Sequence, residues 1–187
     1  MATKTVNTKW TYEDFLLFPD NGNRHELIDG EHFMTPSPTT KHQRISQRLS
    51  LALGNFLKTN NLGELFVAPC DVFLSDLDVV QPDLLFISAT RKDIITEKNI
   101  QGGPDLVVEI LSESTRKTDE IIKRKLYEQY DTKEYWILDP DLETVKIHRK
   151  DKETFQPPIH LSHENQDRLS TPLLPGFEIR LTDLFET

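Results

Sequence analysis

Cysteine is nearly missing from this 187-residue chain. Cys70 stands alone, so no disulfide can form within one chain, and a cysteine-based zinc site is excluded in practice. Long apolar runs are missing too. No stretch approaches the roughly 18–20 apolar residues of a membrane-spanning helix. The opening "MATKTVNTKW" has no apolar core of the kind a secretion signal carries, so a cytoplasmic setting is expected, with no membrane partner. Basic residues are also in deficit: 22 Lys and Arg against 31 Asp and Glu leave a net charge of −9. That argues against a protein that coats duplex DNA by charge alone. It does not argue against an enzyme, because net charge describes the far field rather than one groove. No zinc finger, helix-turn-helix, linker or low-complexity tract is visible.

What is present reads as one α/β unit. Thr11 with Asp14 three residues later predicts a capped short helix. "RHELIDGEHFM" (24–34) predicts a hairpin around Asp29-Gly30. Residues 40–60 predict a long helix, with Ile45, Leu49, Leu53 and Phe56–Leu57 at helical spacing. The stretch 63–75 is β-prone throughout, and "DLLFIS" (83–88) and "DLVVEIL" (105–111) are strands of the buried type. A second helix is expected over 112–131, with an apolar stripe of Ile122, Leu126 and Tyr130. A strand at 133–140 and a partner at 143–150 should form a hairpin. The Pro-rich tail 151–187 predicts one short strand near 177–181. Strands interleaved with crossover helices imply a mixed sheet flanked by helices. The expected division is a single domain with a core at about 39–140 and a β-rich extension over 141–187.

The informative residues are charges inside apolar strands. Glu109 interrupts "LVVEIL", and a carboxylate there must be paired, protonated or bound to a cation. Asp83 stands at the head of "DLLFIS" after Pro82, which fixes φ and donates no hydrogen bond. An Asp at the start of one strand and a Glu inside its neighbour can converge on a hard divalent cation such as Mg²⁺. Lys123, four residues before Tyr127, could bury its stem and reach the sheet. Each residue also has a plain reading. Glu109 would be a structural salt bridge to Arg116 or Lys123, Asp83 a turn cap, and Lys123 half of a surface pair with Asp119 worth about 0.2–0.5 kcal/mol. A second Pro-Asp pair ends in Asp105, about 13 Å along the strand from Glu109, too far to share one ion. His42 reads as a satisfied or surface histidine or a phosphate contact, Cys70 as a small buried residue, and Trp10 and Trp136 as packing residues.

Taken together, "HELIDGEHFM", "KHQRISQRL", "LGELFVAP", "VVQPDLLFIS", "GGPDLVVEILSESTRKTDEIIKRKLYEQY" and "EYWILDP" resemble the PD-(D/E)XK nuclease superfamily. Within it they resemble the widespread bacterial restriction-endonuclease family, formerly a domain of unknown function. The likeness spans roughly residues 11–150. It implies a restriction-endonuclease-like α/β core (helix, three strands, helix, strand) with an N-terminal hairpin and C-terminal β additions. It also implies Mg²⁺-dependent, or Mn²⁺-dependent, hydrolysis of phosphodiester bonds in nucleic acid, DNA foremost. Carried over residue by residue, Asp83 and Glu109 would hold the metal and Lys123 would assist, with Glu26 and Gln81 completing the pocket. Two positions depart from the pattern. Leu111 stands where the superfamily has its lysine, and Asp131-Thr132 stand where relatives commonly have Gly-Val. The alternatives from other classes are a nuclease-fold protein that binds nucleic acid or a protein partner without cutting, and a homodimer formed through the β-rich C-terminal part.

Overall fold

Thr11 caps the first helix, α1 (Tyr12–Phe15), through the reciprocal hydrogen bonds with Asp14 that the sequence predicts. The structure, a computed structural model, describes residues 9–186, so residues 1–8 of the N-terminal stretch discussed above lie outside it. Strands β1 (Arg24–Ile28) and β2 (Glu31–Thr35) form the expected hairpin. Asp29 and Gly30 both adopt positive φ, 51° and 70°, as a tight two-residue turn requires. Helix α2 spans Thr40–Asn60 as expected, capped by Thr39 and ended by Asn61 in the left-handed region. Its buried stripe is Ile45, Leu49, Leu53 and Leu57.

The β-prone stretch 63–75 is not one element. It divides into β3 (Gly63–Val67) and β4 (Val72–Ser75), which belong to different sheets. Pro69 stands between them, and a proline has no N–H to continue a ladder. Three strands follow: β5 (Asp78–Val80), β6 (Leu84–Ser88) and β7 (Ile100–Gln101). Then come β8 (Leu106–Ile110), the helical segment 116–129 that ends in α3 (Arg124–Gln129), β9 (Glu134–Asp139) and β10 (Thr144–Asp151). The tail adds β11 (Thr154–Phe155), β12 (Ile159–Ser162), β13 (Arg168–Ser170), β14 (Glu178–Arg180) and α4 (Leu181–Phe185).

The larger sheet runs β11-β10-β9-β8-β6-β3, with β12 also on β10, and the smaller runs β2-β1-β5-β4-β7. In the larger sheet β8 and β9 are parallel, while β3–β6, β6–β8 and β9–β10 are antiparallel. This is the mixed α/β architecture the sequence predicts. Strand β8 is buried on both faces. Leu106, Val108 and Ile110 pack with α2, and Val107 and Leu111 join Leu85, Ile87 and Tyr127 on the other side. Alternation therefore turns Glu109 toward the face covered by residues 116–129.

Two elements differ from expectation in ways that shape the site. The second helix starts at Arg116 rather than Ser112. Ser112 and Thr115 bond each other's backbone and hydroxyl groups instead, the competition that makes such residues poor helix formers. Residues Thr118–Lys123 then form a π-helical turn, which widens the helix locally. The buried face becomes Asp119, Lys123, Leu126 and Tyr127, while Ile122 and Tyr130 of the expected stripe are only half-buried. The tail also carries more than β additions. Leu169, Leu174, Phe177, Leu181, Leu184 and Phe185 enter the main core beside α2, and Phe177 meets Phe56 edge-on.

On β10, His148 is buried between Tyr135 and Phe155. Burial, with Arg124 and Lys146 nearby, lowers its pKa from 6.5 to about 4. A histidine depressed in the fold binds fewer protons there than in the unfolded chain. Its contribution is therefore intact above pH 6.5 and is lost as pH falls toward about 4, at up to about 1.4 kcal/mol per pH unit. His148→Phe is expected to flatten that part of the pH–stability profile. Parallel urea-midpoint profiles for the two proteins would refute this.

Candidate active site

Glu109, at the middle of an apolar strand, accepts two hydrogen bonds on one oxygen: from Lys123 Nζ at 3.0 Å and from the Tyr127 hydroxyl at 3.1 Å. The same ammonium lies 2.8 Å from Glu26 on β1 and 3.4 Å from Asp119 one helical turn back. Lys123 is 4% exposed and Asp119 2%, so the surface-pair reading of these two is wrong. The π-helical turn places them under the sheet instead. Glu26 also accepts the Gln81 backbone N–H at 2.7 Å, which ties β1 to the residue just past the end of β5.

Asp83, just before β6, is 3% exposed and fully engaged. One oxygen accepts from Arg24 at 2.7 Å. The other accepts from His42 Nε2 at 3.0 Å and from the Ile110 backbone N–H at 2.8 Å. The last bond comes from the residue after Glu109, so it locks the two strands in a register that brings both carboxylates to one wall. Asp83, Glu109, Asp119, Lys123, Arg24 and His42 all line a cavity of about 480 Å³, rimmed by hydroxyls of loops 35–39 and 112–115.

Burial and charge act in opposite senses on the two principal acids. Burial works against ionised Asp83, but His42, Arg24 and the Ile110 N–H outweigh it and hold the carboxyl below its ordinary range. Burial raises Glu109 well above the ordinary range. Lys123 opposes the rise, while Asp119, Asp83 and Glu26 add to it. Burial likewise raises Asp119. Lys123 itself is raised well above the usual lysine range: burial disfavours its charge, yet Glu109, Glu26 and Asp119 together prevail. Four carboxyl groups, Glu26, Asp83, Glu109 and Asp119, thus face two permanent cations, Lys123 and Arg24, and all but Glu26 line the cavity. The excess of carboxyl groups over cations and the oxygen-rich donor set suit a hard divalent cation. Among the described residues no three His, Cys, Asp or Glu side chains already converge as a ready ligand cage. Mg²⁺ needs only one or two carboxylates, because it keeps several waters.

Of the five residues singled out from sequence, Asp83, Glu109, Lys123 and Glu26 meet here. Gln81 contributes only its backbone, since its side chain turns away to donate to Asp71 at 2.6 Å. Sequence reasoning missed Arg24, Asp119 and Tyr127, and undervalued His42. Arg24 and Glu26 alternate on one strand face, and Asp119, Lys123 and Tyr127 recur every four residues, so the signals existed. Asp105 is a strand-end residue, as expected. It is fully buried, accepts the Ser88 N–H and pairs with Lys133 and Arg91. Trp136 packs in the core, whereas Trp10 is exposed against Phe18. Cys70 is half-buried, and burial raises its thiol, the opposite of an activated nucleophile.

The family model described as "Uma2: Putative restriction endonuclease" matches residues 12–182. The crystal structure of a putative nuclease belonging to DUF820 from Anabaena variabilis ATCC 29413 has the same fold. Its TM-score is 0.79 at 22% identity, over 94% of this chain and 97% of that one. No curated protein matches the chain.

Proposed function

This chain belongs to the Uma2 family of restriction-endonuclease-like proteins, and on that premise we propose that it is a metal-dependent endonuclease hydrolysing phosphodiester bonds, with DNA as substrate. The observation that carries the proposal is the surplus of buried carboxylate around Lys123 at the wall of an open cavity. Structural ion pairs are usually matched in charge, and unmatched buried charge is costly unless something else neutralises it. Asp83 and Glu109 would hold Mg²⁺ or Mn²⁺. Such an ion lowers the pKa of a bound water and offsets charge building on the phosphate.

The chain's own groups supply the rest. Hydrolysis adds water to phosphorus and breaks one P–O ester bond, with a proton passing to the leaving oxygen. Lys123 has three N–H bonds, engaged at 2.8, 3.0 and 3.4 Å. The longest contact, to Asp119, is the one a water or phosphoryl oxygen would take over. Asp119 lines the cavity, and once that contact is given up its carboxyl group would take the proton of the attacking water. Arg24 reaches Asp83 with one nitrogen, leaving other N–H groups of its fork for phosphate oxygens. His42 holds Asp83 from the side of α2.

Leu111 favours the second reading, binding without cleavage. It occupies the superfamily's lysine position and is buried in the core. Against that, Lys123 brings an ammonium to Glu109 from the helix. Cleavage decides between the two readings. Supercoiled plasmid and single-stranded DNA should be cut by the wild type with Mg²⁺ or Mn²⁺. Asp83→Asn should lower the rate by about 100-fold or more. If the wild type leaves every substrate intact with either metal, the catalytic proposal is lost.

A further inference from the structure

The β1–β2 hairpin has a second face, turned away from the cavity, with chemistry of its own. By strand alternation His25 on β1 and His32 on β2 lie opposite the face of Arg24 and Glu26. His25 Nδ1 is 2.9 Å from His32 Nε2. The ring planes are 3° apart with centroids at 5.1 Å, so the rings meet edge to edge, nitrogen to nitrogen. Phe18 packs against both, its centroid 4.5 Å from His32 and 5.6 Å from His25. Met34 shares this face. It stands directly opposite His25 in the hairpin register and two residues beyond His32. It is 57% exposed.

One backbone group fixes which nitrogens carry lone pairs. Asn21 Oδ1 accepts the Asn23 N–H at 3.1 Å, so the orientation of the Asn21 amide is settled. His25 Nε2, 3.0 Å from the same oxygen, is therefore the donor to it. The neutral His25 ring is left with its lone pair on Nδ1, aimed at His32. Metal-ligating histidines are held in this way, with the far nitrogen donating to an oxygen that fixes tautomer and ring orientation. His32 is exposed and has two neutral forms. With the proton on Nε2 it donates to His25; with the proton on Nδ1 it presents a second lone pair at the same point. Burial and the neighbouring His25 hold its pKa below 6.5, so the ring is neutral at pH 7, as a metal ligand must be.

We propose that His25 Nδ1, His32 Nε2 and the Met34 sulfur form a binding site for a soft monovalent cation, Cu⁺. Two metal–nitrogen bonds of about 2.0–2.1 Å span about 3.3–3.6 Å at tetrahedral to trigonal angles. The 2.9 Å separation has to widen by only about 0.4–0.7 Å, and β2 is an edge strand of its sheet. No proton is released on binding: His32 moves its proton from Nε2 to Nδ1, and both lone pairs then meet the ion. Two imidazoles and a thioether are a neutral, soft donor set, which suits Cu⁺ rather than Mg²⁺. Zn²⁺ sites take Cys, His and carboxylates instead of thioether. The site shares no residue with the cavity and does not rest on the endonuclease reading.

The test titrates the full chain with Cu⁺ under anaerobic conditions, buffered by bicinchoninate, whose coloured complex fades as the protein takes the ion. Uptake of one Cu⁺ per chain is expected. His32→Gln should weaken binding by about 100-fold, and Met34→Leu by about tenfold. Asn21→Leu touches no metal ligand but releases the His25 tautomer, and should also cost about tenfold. His32 and Met34 are exposed, so neither substitution opens the core. Zn²⁺, followed calorimetrically, should bind more weakly than Cu⁺ and be indifferent to Met34→Leu. Cys70 is the competing soft ligand, and Cys70→Ser should leave Cu⁺ uptake unchanged. The site is overturned if the wild type takes up no Cu⁺, if the affinity survives His32→Gln or Met34→Leu, or if Cys70→Ser abolishes it. Zn²⁺ binding as tightly as Cu⁺ overturns the choice of a soft cation.

Discussion

Lys123→Met is expected to cost about 3–5 kcal/mol of folding stability, read from urea unfolding at pH 8. The ammonium is the shared counter-charge of Glu26, Glu109 and Asp119, at 2.8, 3.0 and 3.4 Å, and all four groups are buried. Met keeps the length and the apolar contacts of the stem, so the loss reports charge rather than a cavity. Three carboxylates left without their cation relieve the strain by taking up protons. Their folded pKa values then rise above the unfolded ones, and such groups lose stability as pH rises. The defect should therefore be smaller at pH 5 than at pH 8. Divalent metal offers a second remedy, and Mg²⁺ should raise the melting temperature of the variant more than that of the wild type. A loss below about 1 kcal/mol would reduce Lys123 to the weight of a surface ion pair and remove the basis for the cluster.

Glu109→Gln separates stability from chemistry. Gln keeps the oxygen that receives Lys123 and Tyr127 but discards the charge. That charge is disfavoured by burial first and then by Asp119, Asp83 and Glu26. A carboxyl raised in the fold contributes stability that is complete below its unfolded pKa of 4.5 and fades as pH climbs toward the folded value. The Gln variant has no such titration, so its stability relative to the wild type should grow from pH 5 to pH 8. Cleavage, in contrast, should fall by about 100-fold or more, because a neutral amide is a poor ligand for a hard cation. A variant that cuts normally, or one less stable than the wild type at pH 8, would show that Glu109 serves the fold and not the reaction.

Much of this protein was legible one segment at a time. Helix α2, the Asp29-Gly30 hairpin, the paired β9 and β10 and the buried strands β6 and β8 follow from periodicity, capping and turn chemistry. Each of these depends on residues within a turn or a strand of one another. Glu109 was conspicuous for the same reason, as a charge with apolar neighbours on both sides. The polar C-terminal tail hid its role, because its core residues are scattered among exposed ones and their destination is a distant helix.

By itself, then, the chain determined which segments are helix and strand and which acids are out of place within them. Which groups those acids meet was decided only in three dimensions. Arg24 and His42 reach Asp83 from 59 and 41 residues away. Lys123 is turned inward by a π-helical turn that no local pattern announces. Side-chain periodicity reports a residue's own element and face, but not which other element packs against that face. Strand register and helix packing set that choice, and here they gather four carboxylates around one buried lysine and one arginine.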